Sequence, residues 1–194
     1  MIQPEQTRSK MVDFVVRSAE LIEDGIGLFL FSIPSAENPL GTGTGKTTVA
    51  TTIINEFVIA RSKEALTGGR PLNNNPALFV AMSDFQNIYN AQFRGNRDTQ
   101  ESASEKFYRF KDRMKSVELL VIDDVAMRNV TEAFTNEFYE IINHRVNEGL
   151  STIYTSNEPL KSLVDIYGER IVSRIDGSTY QFPFTGKDHR KKGW

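Results

Sequence analysis

The chain of 194 residues contains no cysteine. Disulfides and thiolate metal sites are therefore excluded, and the composition fits a reducing compartment, so a cytoplasmic location is expected. Histidine is scarce too: His144 and His189 stand far apart and without metal-ligand company. No stretch approaches the roughly 20 apolar residues of a membrane span, and the opening MIQPEQTRSK lacks the apolar core of a secretion signal. No membrane partner is expected. An excess of one charge is also missing, since 23 Lys and Arg face 25 Asp and Glu for a net charge of −2. With a pI of about 5.8, no global basic field draws nucleic acid to the molecule, and any such binding must be local.

What is present alternates. Apolar runs at Gly27–Ile33, Ala77–Met82, Val117–Asp123, Thr152–Thr155 and Tyr180–Phe184 read as strands. Helices are expected at 45–60, from Ser83 or Asp84 onward with either residue as cap, and at 104–115, Thr131–Asn147 and Leu160–Arg174. Leu66–Pro76 and Gly95–Ser102 have the composition of loops. Strands that are apolar throughout, alternating with helices, predict an α/β domain: a parallel five-stranded sheet with helices on both faces. Residues 5–24 carry Met11, Phe14, Val15, Leu21 and Ile22 on one helical face, with Gly25 as the stop. The expected division is a linker helix over 1–25 and a single domain over 26–194.

The segment Gly41-Thr42-Gly43-Thr44-Gly45-Lys46-Thr47-Thr48 lies between the first strand and a helix, the context in which a P-loop match is credible. Its backbone must curl around phosphate oxygens, and glycine adopts the required dihedrals at little cost. The amides of Gly43, Thr44, Gly45 and Lys46 would face the anion, with the positive end of the following helix behind them. Lys46 would neutralise the β- and γ-phosphates, Thr47 would ligate Mg²⁺, and Thr48 would reach the α-phosphate. A mere flexible Gly/Thr turn does not account for the flanking strand and helix. The pattern implies a nucleoside triphosphate site. It departs from the G-x-x-x-x-G-K-[ST] template at one place, with Leu40 where glycine is wanted and Gly41 one residue late. Pro34 and Pro39 exclude helix before it, so an extended approach is expected, with Gly41 taking the tight turn.

Leu119-Leu120-Val121-Ile122-Asp123-Asp124, about 75 residues further on, has the form of a Walker B strand. Such a strand delivers acids at its carboxyl end, where open α/β sheets bind ligands. Asp123 would hold Mg²⁺ and Asp124 would polarise the attacking water. Thr155-Ser156-Asn157 closes the next strand and would lie beside the γ-phosphate if the two strands are neighbours; otherwise it starts an ordinary turn at Asn157-Glu158-Pro159. Arg170 and Arg174 stand four apart on one helix face. They read either as surface arginines pairing with Glu169 or Asp165, or as an arginine finger reaching a neighbouring subunit.

GTGTGKTT, LLVIDD, TSN and GERIVSR, in this order and spacing, resemble the DnaC/DnaI-type replicative helicase loaders. These are AAA+ ATPases close to the DnaA initiator, in a group that also holds the IstB transposition helper. The likeness runs from about residue 5 to 190, including Phe79–Asp84 and the closing Phe184-Thr185-Gly186-Lys187-Asp188-His189-Arg190. It implies a three-layer P-loop AAA+ core with a lid that is minimal or absent. It also implies ATP hydrolysis with Mg²⁺, a nucleotide-dependent homo-oligomer, contact with single-stranded DNA and a hexameric replicative helicase as partner. By the same likeness Asn157 is sensor 1, Arg170 the arginine finger, Arg174 the second arginine of that motif and Arg190 a candidate sensor 2. Loaders usually carry an N-terminal helicase-gripping domain, and this chain reaches its core within about 25 residues, as a fragment or a short variant would.

Phe93-Arg94-Gly95-Asn96-Arg97 and Lys106–Lys115 interleave aromatics with cations, which suits a groove that tracks single-stranded DNA. Against this, Phe107, Phe110 and Met114 have the spacing of a helix core face, with the cations turned to water. Two rival functions stand beside helicase loading: an IstB-like transposition helper, and a nucleotide-controlled adaptor with negligible turnover.

Overall fold

The computed structural model describes Ser9, Val12 and residues 17–189. Most of the expected linker helix and Arg190 therefore lie outside the described residues. The chain runs α1 (Ser18–Glu23), β1 (Gly27–Ser32), α2 (Lys46–Leu66), β2 (Ala77–Ala81), α3 (Met82–Ala91), α4 (Arg97–Ser116) and β3 (Leu119–Asp123). It continues through α5 (Glu132–Asn147), β4 (Ser151–Ser156), a 3₁₀ turn (Leu160–Leu163), α6 (Val164–Tyr167), α7 (Glu169–Ser178) and β5 (Thr179–Phe184).

Five strands form one sheet in the order β2-β3-β4-β1-β5, and every neighbouring pair is parallel. Successive side chains alternate between the two faces of a strand, and here both faces are covered. Leu28, Leu30, Leu119, Val121 and Ile153 join Ala50, Ile53 and Phe57 of α2 in one core. Phe29, Leu120, Ile122 and Tyr154 join the other, with Phe85, Phe107, Phe134, Phe138 and Ile171 from α3, α4, α5 and α7. This is the expected three-layer arrangement, and among the described residues no lid domain follows the sheet.

Several boundaries differ from the sequence expectation. Helix α4 begins at Arg97, inside the stretch expected to be a loop, because Asn96 caps it: its side chain accepts from the Thr99 amide at 3.0 Å. Once capped, an exposed first turn needs no apolar residue. Helix α3 starts at Met82 directly off β2, and neither Ser83 nor Asp84 caps it. Helix α2 runs to Leu66, held there by buried Arg61, which pairs with Glu64 and, at 2.8 Å, with Glu118. The segment 160–174 is broken at Gly168 (φ 79°, ψ 164°), a conformation open to glycine alone. In α4 the ordinary reading of the aromatics holds for Phe107 and Met114, both buried. Not every cation faces water, however. Lys111 is buried and held by Glu137 and, at 2.5 Å, Glu140. Burial alone would pull its ammonium down, but the two carboxylates outweigh it and leave its pKa raised.

Candidate functional site

The carboxyl ends of β3, β4 and β1 lie side by side, so sheet order brings together three segments that are distant in sequence. They line a cavity of about 310 Å³ whose walls include Thr42 to Thr48, Asp123, Asp124, Thr155 and Asn157. Among the described residues no cluster of three or more His, Cys, Asp or Glu could hold a metal by itself.

The loop after β1 forms as the glycine pattern requires. Gly41 takes φ 60°, and a Cβ built on it would stand 2.6 Å from the Ser32 Cβ. Gly41 therefore makes the close turn that the displaced template glycine would have made, while Leu40 points outward with 74% of its surface exposed. Asn38, which sequence reasoning passed over, is buried in the approach and donates from Nδ2 to the Thr42 carbonyl at 2.7 Å.

Lys46 opens α2 and is 7% exposed. Its Nζ donates to Ser32 Oγ at 2.6 Å, Asn157 Oδ1 at 2.9 Å, the Gly41 carbonyl at 3.2 Å and Thr44 Oγ1 at 3.4 Å. Ser32 was not singled out from sequence, because a serine closing a strand carries no motif signal. It nevertheless lies under the loop, donating to the Gly41 carbonyl at 2.5 Å.

Thr47 and Asp123, the two residues expected to ligate Mg²⁺, are brought together: Thr47 Oγ1 donates to Asp123 Oδ1 at 2.9 Å. Thr155 Oγ1 donates to the same oxygen at 2.6 Å and accepts from the Asp124 amide at 2.9 Å. Asp124 occupies the left-handed region, φ 57°, which non-glycine residues seldom adopt. Three contacts hold it there. The Thr155 hydroxyl takes its amide, Asn157 Nδ2 donates to its Oδ1 at 3.2 Å, and the following Val125 amide donates to the Thr155 carbonyl at 2.9 Å. Tyr167 of α6 donates to the Val125 carbonyl at 2.8 Å. Burial, then the Asp124 charge, push its phenol pKa up, so it stays a donor.

Arg170 and Arg174 do not reach this cavity. Both lie along α5, where Arg170 stacks with its guanidinium carbon 3.9 Å from the Tyr139 ring centroid. Arg174 donates to Asn147 Oδ1 at 3.3 Å. Neither pairs with Glu169 or Asp165 among the described residues.

A model of the bacterial DnaA ATPase domain matches residues 88–179. The replicative helicase loader DnaC of Buchnera aphidicola subsp. Baizongia pistaciae (strain Bp) is 26% identical over 151 residues, which are 77% of this chain and 54% of that protein. The chain thus spans about half the length of this relative. The crystal structure of DnaI superposes with a TM-score of 0.67 at 22% identity, over 98% of this chain and 88% of that one. The replication initiator DnaA bound to AMPPCP and single-stranded DNA gives a TM-score of 0.61 at 21% identity, over 96% and 48% respectively. The chain has the P-loop AAA+ fold and is similar to the DnaC/DnaI-type loaders, as its motifs implied.

Proposed function

We propose that this protein is an ATPase that loads a hexameric replicative helicase onto single-stranded DNA, with its catalytic sites shared between subunits. The observation that carries the nucleotide reading is the convergence of Lys46, Thr47, Asp123, Asp124 and Asn157 on one cavity from three strand ends. The resemblance to DnaC and DnaI, and a DnaA structure that holds a nucleotide analogue and single-stranded DNA, support the rest.

In this reading the P-loop amides and Lys46 hold the β- and γ-phosphates of ATP. Thr47 and Asp123, already 2.9 Å apart, would hold Mg²⁺ between hydroxyl and carboxylate, a donor set of hard oxygens that suits it. When bound, the cation supplies positive charge against the phosphate oxygens. Asp124 orients a water molecule and takes its proton as the oxygen attacks the γ-phosphorus. The bond to the β,γ-bridging oxygen breaks, ADP leaves with that oxygen, and phosphate is released. Asn157, bonded to both Lys46 and Asp124, senses whether the γ-phosphate is present. Arg170 lies outside its own chain's cavity, so its charge serves the site of an adjacent subunit.

The test is ATP turnover with and without single-stranded DNA, together with capture of a purified hexameric replicative helicase. Turnover stimulated by DNA and helicase captured in the ATP state support the proposal. Tight ATP binding with no turnover under any of these conditions would replace it with the nucleotide-controlled adaptor.

A further inference from the structure

Past β5 the chain turns back across the P-loop. The His189 amide donates to the Gly43 carbonyl at 3.1 Å, and Thr42 Oγ1 donates to Asp188 Oδ2 at 3.1 Å. Asn38 ties the two segments together, donating from Nδ2 to the Thr42 carbonyl at 2.7 Å and to the Gly186 carbonyl at 3.1 Å. The fit is close. A Cβ built on Gly43, at φ 63°, would stand 1.7 Å from Asp188 Oδ1 and 3.2 Å from the His189 nitrogen. A side chain at 43 would thus have to displace the Asp188 carboxylate, and the positive φ disfavours one in any case.

A peptide unit is planar and trans, so its carbonyl and its amide hydrogen point in opposite directions. Holding the Thr42 carbonyl with Asn38 turns the Gly43 amide the other way, and holding the Gly43 carbonyl with His189 does the same for the Thr44 amide. Both amides belong to the loop that lines the cavity, and an anion-binding nest needs successive amides to converge before the ligand arrives.

We propose that the segment Gly186–His189 is a clasp that pre-organises the P-loop for the triphosphate, with Asp188 and the His189 backbone as positioning groups. The inference rests on the nucleotide-site reading above. It assigns a P-loop-positioning role to the Asp188 carboxylate and the His189 amide, distinct from the sensor role that the resemblance implies for Arg190, and predicts that whatever displaces this segment also weakens nucleotide binding.

The test titrates a fluorescent ATP analogue, with Mg²⁺, into the parent and four variants. Asp188→Ala removes the acceptor for Thr42. His189→Pro removes the amide that holds the Gly43 carbonyl. Asp188→Asn keeps an oxygen acceptor, and Lys46→Ala serves as the control for the site itself. Losing one organising hydrogen bond should weaken the apparent Kd roughly five- to tenfold in Asp188→Ala and His189→Pro. Asp188→Asn should bind like the parent, a rescue that a role for the negative charge would not give. The nucleotide-free Tm of all three clasp variants should match the parent's. If Lys46→Ala loses affinity on the order of a hundredfold while Asp188→Ala and His189→Pro bind like the parent, the clasp is refuted and the site stands. If Lys46→Ala itself binds like the parent, the nucleotide-site reading falls first. An affinity loss accompanied by a lowered nucleotide-free Tm also overturns the clasp, since the segment would then act through general stability.

Discussion

Lys46 Nζ donates to Asn157 Oδ1 at 2.9 Å, joining the start of α2 to the end of β4 across 111 positions of sequence. Asn157 passes the connection on, donating from Nδ2 to Asp124 Oδ1 at 3.2 Å. One amide side chain therefore bridges the residue proposed to hold phosphate and the residue proposed to activate water. Its two ends are used in the only order available, since the ammonium needs the oxygen and the carboxylate needs the NH₂.

Replacing Lys46 by alanine should reduce ATP affinity on the order of a hundredfold, the effect of losing charge-assisted bonds to phosphate. The lysine is buried but surrounded by polar atoms that water can satisfy, so the fold should persist. Titration calorimetry with a parallel thermal melt checks both halves. Parent-like affinity would remove the P-loop assignment.

Asp124→Asn should keep ATP binding and lower turnover roughly 10²- to 10⁴-fold, the usual contribution of a general base. Asparagine tolerates the left-handed backbone at φ 57° and still offers an oxygen to Asn157 Nδ2. Unchanged steady-state turnover would move the base elsewhere, Glu158 being the next acid along the sheet end.

Arg170→Ala should bind ATP normally yet lose hydrolysis on the order of 10³-fold. Mixing it with Asp124→Asn should restore part of the activity, because some interfaces then pair an intact Asp124 with an intact Arg170. The rescue should grow with protein concentration. A mixture that stays inactive where the parent is assembled and active sinks the shared-site reading.

Arg145 is 1% exposed, and among the described residues no carboxylate pairs with it. It donates to the carbonyls of Met114 (2.9 Å), Val117 (2.8 Å) and Ser151 (2.6 Å) and to Thr152 Oγ1 (2.8 Å). Burial pulls its guanidinium down to about 10, still protonated at neutral pH. Arg145→Ala would orphan several buried carbonyls and should cost about 3–5 kcal/mol, read from urea unfolding. A loss below about 1 kcal/mol would mean that water replaces the guanidinium freely.

The hydrogen bond from Lys111, set against partial burial, lowers the Glu140 carboxyl below its usual value of 4.5. A depressed folded pKa contributes stability above the unfolded value, and that contribution disappears as pH falls through the folded value. Glu140 is 57% exposed at its side chain, so the expected benefit over Glu140→Gln is under about 1 kcal/mol at pH 7. The difference should shrink progressively as pH falls below 4.5 toward the lower folded value. Urea midpoints of parent and variant that keep the same separation from pH 7 throughout acidification would contradict the pairing.

Much of this molecule was legible locally. The strands announce themselves because burial on both faces demands apolar residues at every position, as in Leu119–Ile122. The P-loop does so because glycines at Gly41, Gly43 and Gly45 answer backbone needs within eight residues. The Asn96 cap was equally local but was obscured, since the polar first turn of α4 looks like a loop until its capped amide is counted. Other features had no local signal. Ser32 meets Lys46 within one strand-loop-helix unit but carries no motif signal, while Asn38 against Gly186, Asp188 against Thr42 and Arg145 against Met114 and Val117 are single polar residues whose partners come from distant segments. Strand order decides those meetings. Periodicity reports which face of an element is buried, a property of one element alone. Which residues share a site depends on β3, β4 and β1 lying side by side, and only the packing of the whole sheet determines that.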